Sequence, residues 1–235
     1  MRRATKIRWI RLEETDSTNE YAKGLQAVHN TVVMADRQTA GKGRDGRSFA
    51  SEEGGVYMSV VRMDDLPVRE SAKYYLAAPL AVADALAEWG LDARIKWPND
   101  VRVGDAKIAG ILVETVWEND RVKRAVVGIG VNVRNDLGGV PVRATSMRLE
   151  GADASPREVA KRIACRLDER LAQTPAELIE AVKEKLINIG RAVVFGNGTE
   201  GVAVDLADDG RLVVLVGDKR RMVAAGDVSL KEEIC

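Results

Sequence analysis

Apolar residues recur along this chain in two rhythms. Thr31 to Ala35 is a β-branched run suited to a buried strand, and Val56 to Met63, Lys107 to Trp117 and Lys123 to Val133 read as further strands. Ile7 to Leu12 and Arg94 to Trp97 read as shorter strands. Glu70 to Trp89 is instead rich in Ala and Leu and apolar nearly all round, which predicts a central buried helix, kinked at Pro79 and stopped at Gly90. Ser17-Thr18-Asn19-Glu20 has the form of a capping box, and Tyr21, Ala22, Leu25 and Val28 continue it at helical spacing. Ser155-Pro156-Arg157-Glu158 and Thr174-Pro175-Ala176-Glu177 each place an N-cap, a first-turn proline and an acid at the third helical position, opening two amphipathic helices. Pro98-Asn99-Asp100 and Glu118-Asn119-Asp120 read as turns.

After Gly190 the rhythm shortens. Small β-branched strands alternate with turns at Gly196-Asn197-Gly198, Asp208-Asp209-Gly210, Gly217-Asp218 and Gly226-Asp227, spacing that predicts a small β-barrel. The expected division is residues 1–187 and 188–235, with no long linker and no internal repeat.

Composition narrows the function classes. The 36 basic and 36 acidic residues cancel, so bulk charge points to neither nucleic acid nor a membrane surface. Cys165 and Cys235 make no disulfide framework, and with the single His29 they supply no Cys/His zinc site. Met1 to Leu12 is basic and then strand-like, without a secretory signal, and no stretch approaches a membrane span; a reducing cytoplasm is the expected setting.

The candidate chemistry lies in Gln38-Thr39-Ala40-Gly41-Lys42-Gly43-Arg44-Asp45-Gly46-Arg47, a loop with three glycines and three cations. Glycines let consecutive N–H groups converge on an anion, and Lys42, Arg44 and Arg47 can surround a polyphosphate. The spacing is neither that of a P-loop nor of a dinucleotide fingerprint, and it suits a solvated basic loop equally well. Lys107 opens an otherwise apolar strand; alternation puts it on the face of Ala109 and Ile111, with Gly110 on the other. A lysine there is commonly a snorkelling surface residue, whereas Gly110 inside a strand marks a close approach to the backbone. Ser17, Thr18 and Asn19 read first as a helix cap whose polar groups can also meet a ligand. Trp89, Trp97 and Trp117 read as core or edge packing, and His29 as exposed. No Ser/His/Asp triad and no metal-ligand cluster is evident, which leaves electrostatic catalysis on a phosphate as the natural chemistry.

Five motifs in order, Asp16-Ser17-Thr18-Asn19, the Gln38 to Arg47 loop, Lys96-Trp97-Pro98-Asn99-Asp100, Lys107-Ile108-Ala109-Gly110-Ile111-Leu112-Val113-Glu114 and Gly128-Ile129-Gly130-Val131-Asn132, closely resemble the biotin–protein ligases from about Leu12 to Leu149. The C-terminal strands are similar to that family's small SH3-like domain. The resemblance implies an α/β (α+β) fold: a class II synthetase-like catalytic domain with a mixed sheet backed by helices, plus an SH3-like β-barrel. It implies an enzyme that activates biotin with ATP and Mg²⁺ to biotinyl-5′-AMP, then transfers biotin to a lysine of a biotin carboxyl carrier protein, with no tightly bound prosthetic group. Because the chain starts at the catalytic unit and not at a DNA-binding winged helix, the expectation is the monofunctional class, a cytoplasmic homodimer binding neither nucleic acid nor membrane.

The same resemblance implies roles for matched positions. Ser17, Thr18, Asn19 and Gln38 would hydrogen-bond the biotin ureido ring, with Gly41, Lys42, Gly43 and Arg44 around the ligand and Gly110 and Gly128 lining its slot. Lys107 would lie between the biotin carboxylate and the α-phosphate, sharing the catalytic role with Arg44. Lys42, Arg44 and Arg47 would hold phosphates, Asn99 and Asn132 would sit near the nucleotide, and Asp100 would hold the magnesium ion. Phe49 stands where many family members have Trp, a ring that stacks on adenine in some. Two alternatives share these features: a lipoate–protein ligase of the same fold, and a non-catalytic module binding biotin or nucleotide. The Gly41-Lys42-Gly43-Arg44 loop and the C-terminal strands favour biotin, and Lys107 with Arg44 favours catalysis.

Overall fold

The computed structural model of the protein describes residues 7–26, 29–139, 142–224 and 228–231. An eight-stranded mixed sheet contains β1 (Arg8–Thr15), β2 (Thr31–Gln38), β3 (Val56–Arg62), β4 (Leu66–Pro67), β5 (Ala93–Lys96), β6 (Asp100–Val103), β7 (Ala106–Glu118) and β8 (Arg121–Val131). Its order is β1-β2-β3-β8-β7-β6-β5, with β4 added to β8. Among its named strands in the described residues, β1 and β2 pair in parallel and the other pairs are antiparallel. The helices are α1 (Thr18–Gly24), α2 (Ala72–Ala87), α3 (Pro156–Leu171) and α4 (Pro175–Lys185). A second, antiparallel sheet of five strands, β9 (Ala192–Phe195), β10 (Thr199–Leu206), β11 (Leu212–Val216), β12 (Lys219–Val223) and β13 (Val228–Leu230), has the order β12-β11-β10-β9-β13. It is the small C-terminal β domain that the short strands and regular turns predicted.

The hydrophobic pattern explains the layers. β3 is buried along its whole length, and α2 packs against both the sheet and α3. Fully buried leucines of α2 such as Leu80 and Leu86 each contribute about 2 kcal/mol by leaving water. The helix continues through Pro79, because packing on all sides outweighs the roughly 3 kcal/mol that an interior proline costs. A 3₁₀ turn at Val68–Glu70 precedes it, so the α-helix starts later than Glu70, and Gly90 follows it at φ 78°. Both proline-led capping boxes form, on Ser155 with Glu158 and on Thr174 with Glu177.

Several local expectations fail for identifiable reasons. Ser17 makes no side-chain cap hydrogen bond; Glu20 is drawn to Lys23 at 2.7 Å and to Lys42 at 2.6 Å, and charge pairing replaces the capping box. α1 ends at Gly24 and Leu25 is extended; Val28, the Gly226-Asp227 turn and Cys235 lie outside the described residues. Asp100 opens β6 where the sequence suggested a turn. Trp97 is buried, whereas Trp117 at the far end of β7 is exposed.

A polar knot joins β3, α2 and α3. The Arg62 guanidinium, 9 % exposed, donates to Asp168 at 2.9 Å, to the Asp64 carboxylate at 3.3 Å and to Asn30 Oδ1; the Tyr74 hydroxyl donates to Asp64 at 2.8 Å. Burial raises the Asp64 carboxyl, but the Arg62 charge, hydrogen bonds from Arg62 and Tyr74 and the His29 charge together hold it below its usual value. His29 joins this knot and is half-buried, not exposed: its Nδ1 accepts the Met63 N–H at 3.2 Å. Burial, then the Arg62 charge, depresses its pKa, against the pull of Asp64 and Asp168.

A base with a depressed folded pKa favours its neutral form, so its stabilisation is present above the unfolded value of about 6.5 and is lost as pH falls through the folded value. His29 is the chain's single histidine. Wild-type thermal midpoints should therefore fall more between about pH 7.5 and about pH 5.5 than those of His29→Asn, which keeps a neutral acceptor. Parallel melting curves for the two proteins would remove His29 from this account.

Candidate functional site

One cavity of about 1160 Å³ is walled by the start of α1, the glycine loop, β7, β8, the Lys96 to Asp105 hairpin and part of the smaller sheet. It collects every predicted site residue except Gly41. Gly41 is buried behind the wall, where a Cβ would stand 2.4 Å from Phe49 O and 2.6 Å from Ser51 Oγ. Its role is to let the loop leave β2 against its own returning strand.

Ser17, Thr18 and Asn19 are each at most 4 % exposed. The Thr18 N–H donates to Gln38 Oε1 at 2.8 Å, and Gln38 Nε2 donates to Ser51 Oγ at 2.8 Å. Asn19 spends its amide internally: Nδ2 donates to Glu114 Oε2 at 2.8 Å and to Leu112 O at 3.3 Å. Its Oδ1 accepts from the Ser59 hydroxyl at 2.6 Å, and Ser59 Oγ also lies 2.8 Å from the Thr18 hydroxyl. Asn19 therefore holds the head of the cavity together, while the Ser17 hydroxyl, released from capping, lines it.

The loop closes on itself. Lys42 bridges Ser48, the Gly43 N–H donates to Arg47 O at 2.7 Å, and the Phe49 N–H donates to Gly41 O at 2.9 Å. The tip at Arg44–Gly46 turns through left-handed conformations at Asp45 (φ 53°) and Gly46 (φ 74°). Lys42 Nζ reaches Glu20 instead of the cavity centre. The Lys23 and Lys42 ammonium hydrogen bonds lower the Glu20 pKa.

The floor is built on paired glycines. Gly110 of β7 faces Gly130 of β8, and the Phe49 ring lies over both: a Cβ on Gly130 would stand 2.6 Å from that ring, and one on Gly110 3.1 Å. The β6–β7 ladder shifts register between Val101 and Arg102, so Lys107 and Ile108 share the space opposite Arg102. This bulge overrides simple alternation. Lys107 Nζ comes to 3.3 Å from the Cβ position of Gly110, on the same face, and is partly buried. It pairs with Asp100 at 2.6 Å and lies 5.9 Å from the Phe49 ring centroid. Asn99 Nδ2 donates to Ile111 O at 3.1 Å and Asn132 Nδ2 to Thr145 O at 3.0 Å, each amide holding neighbouring backbone.

Sequence reasoning missed Ser59, Ser51 and the structural use of Glu114. Ser59 had a signal: a single hydroxyl inside the apolar run Val56 to Val61. It also missed Arg102, Asp105 and Arg191 at the distant wall, which no motif marks.

Gly128 tests the packing of the head. An added Cβ would meet Asn19 Oδ1 at 2.4 Å, whereas nothing lies within 4 Å at Gly24 in α1. Gly128→Ala should cost about 2 kcal/mol in a denaturant melt. Gly24→Ala should be neutral or stabilising by up to about 1 kcal/mol. Equal midpoints for the two variants would contradict this geometry.

Comparison with known proteins agrees with the architecture. Residues 11–132 match the biotin/lipoate A/B protein ligase family, and residues 189–231 match the biotin protein ligase C terminal domain. A biotin–[acetyl-CoA-carboxylase] ligase of Mycobacterium tuberculosis is 34 % identical over 242 residues, covering 94 % of this chain and 89 % of that one. The bifunctional ligase/repressor BirA of Bacillus subtilis is 31 % identical over 233 residues, covering 93 % of this chain and 72 % of that protein. A biotin protein ligase from Aquifex aeolicus, solved with biotin and ATP, superposes with a TM-score of 0.82 at 31 % identity, over 95 % of this chain and 98 % of that one. The chain belongs to the biotin/lipoate A/B protein ligase family.

Proposed function

We propose that this protein is a biotin–protein ligase: it condenses biotin with ATP to biotinyl-5′-AMP and pyrophosphate, then passes the biotinyl group to a lysine of a biotin carboxyl carrier protein. The observation that carries this reading is the placement of Lys107, turned by a bulge onto a glycine floor inside the cavity that also holds Ser17, Thr18 and Gln38. Names of similar proteins and the match at residues 189–231 favour biotin over lipoate.

The chemistry follows from charge. A biotin carboxylate is ionised at neutral pH, so its attack on the α-phosphorus needs no general base. One carboxylate oxygen forms a bond to phosphorus while the bond to the β-phosphate bridge breaks, and pyrophosphate leaves with the electron pair. The barrier is repulsion between two anions together with their alignment. Lys107 answers the first by exchanging its Asp100 partner for substrate oxygens, and Arg44 approaches from the loop. Ser17, Thr18 and Gln38 orient the ureido ring at the other end. The glycine loop shelters the mixed anhydride from water. In the second step a neutral lysine amine attacks the acyl carbon and AMP departs.

Among the described residues no group of three or more His, Cys, Asp or Glu side chains converges on an ion. Magnesium commonly takes one or two protein carboxylates and completes its shell with phosphates and water. The residues thus fit an ion delivered with the nucleotide, Asp100 offering a carboxylate oxygen, and when bound it would neutralise phosphate charge.

Biotin-dependent exchange of pyrophosphate into ATP is the deciding assay, with lipoate as the parallel substrate; exchange with lipoate alone would replace this reading. Lys107→Ala should lower exchange by about a thousandfold with the melting temperature kept, the scale of losing one charged transition-state contact. Near wild-type exchange would remove Lys107 from the mechanism. Arg44→Ala should form the adenylate slowly and release it into solution. An adenylate that stays bound through gel filtration in that variant would sink the sheltering role of the loop.

A further inference from the structure

The larger sheet ends at β5, and the segment after α4 covers part of that edge. Leu186 forms a parallel bridge with Ile95, and the Ile187 N–H donates to Ile95 O at 2.9 Å. The next rung is made by a side chain: the Trp97 N–H donates to Asn188 Oδ1 at 2.7 Å. Asn188 is fully buried, and its amide oxygen stands where a strand would present a carbonyl. A second tie comes from the turn between β10 and β11, where Gly210 O accepts the Trp97 indole N–H at 3.1 Å. Trp97 in turn begins the short connection that delivers Asp100 to Lys107 at 2.6 Å.

We propose that Asn188 is a positioning residue for adenylation: by fixing Trp97 it sets the Asp100 carboxylate, and through it the Lys107 ammonium. The link between α4 and β9 thereby contributes to reaction geometry from outside the substrate contacts. Three observations support this. β5 has β6 on one side only, so its other edge depends on residues 186–188. Asn188 Nδ2 is buried with no hydrogen-bond partner among the described residues, a penalty retained while Oδ1 serves Trp97. The hairpin carrying Asp100 is otherwise held through β7, where the ladder is already irregular.

The test uses the full chain with Asn188→Ala, Asn188→Leu, and Trp97→Phe, the last losing the indole donor to Gly210 O together with part of a buried ring. The kinetic arm rests on the ligase reading. In biotin-dependent pyrophosphate exchange, Asn188→Ala should lower kcat about tenfold, the scale of one buried hydrogen bond, with KM for biotin within about twofold. Trp97→Phe should move kcat in the same direction by less. The second arm needs no activity: labelling of Lys107 by an amine-reactive ester, mapped by peptide mass spectrometry, should run several-fold faster once Asp100 no longer holds the ammonium. A lower melting temperature with kcat and Lys107 labelling unchanged would make Asn188 purely structural and overturn the proposal. A rise in KM with kcat held would do the same. If wild type shows no exchange, the ligase reading fails and Lys107 labelling alone decides the inference; if Asn188→Ala does not fold, the near-isosteric Asn188→Leu, which also removes the Oδ1 acceptor, decides it.

Discussion

Between Val101 and Arg102 the ladder joining β6 to β7 slips by one residue, and the direction of the Lys107 side chain depends on that slip. In a regular strand Lys107 and Gly110 would face opposite ways. With the bulge, the ammonium lies over a floor from which side chains have been removed at Gly110 and Gly130. A partly buried cation needs a counter-charge, and Asp100 supplies it from the neighbouring strand. The pair holds the ammonium beside Gly110, on the face where the Phe49 ring lies.

The head of the cavity divides its labour in a way fixed by hydrogen-bond capacity. Asn19 has two amide donors and both are committed, to Glu114 and to Leu112 O. It serves as scaffold, with Gly128 left bare to make room for it. Ser17 does the opposite. Leaving a helix uncapped costs about 1 kcal/mol, and Ser17, free of a capping bond, stands in the cavity wall. Glu20, the acid that would have completed the capping box, ties the base of the glycine loop to α1 through Lys42.

What the sequence made legible follows the range of the interactions involved. Periodicity located the long strands and α2, and the local signals of Ser155 to Glu158 and Thr174 to Glu177 located both proline-led caps, because these depend on neighbours a few residues apart. The order of the motifs assembled the cavity wall almost complete. The failures are all tertiary. Glu20 left its capping box for Lys42, 22 residues away. Alternation misplaced Lys107 because a bulge is defined by the partner strand. His29 looked solvated until Arg62, Asp64 and Asp168 closed around it. The short β6 was hidden inside a turn-like sequence, since it needs β5 and β7 on either side to be a strand at all.

Whole-chain charge was silent for the same reason. A balance of 36 against 36 describes no location. Away from the cavity, charges cancel pairwise between helices, as Arg166 does with Glu88 and Arg170 with Asp84. The cavity wall is asymmetric: Arg44, Arg47, Arg102, Lys107 and Arg191 face it against the acids Asp100 and Asp105. Low-dielectric walls strengthen such a field locally, while a neutral exterior produces little at a distance. The positive potential is concentrated at the cavity, where a small anion meets it. That is the property required to bring a carboxylate and a triphosphate together at one site.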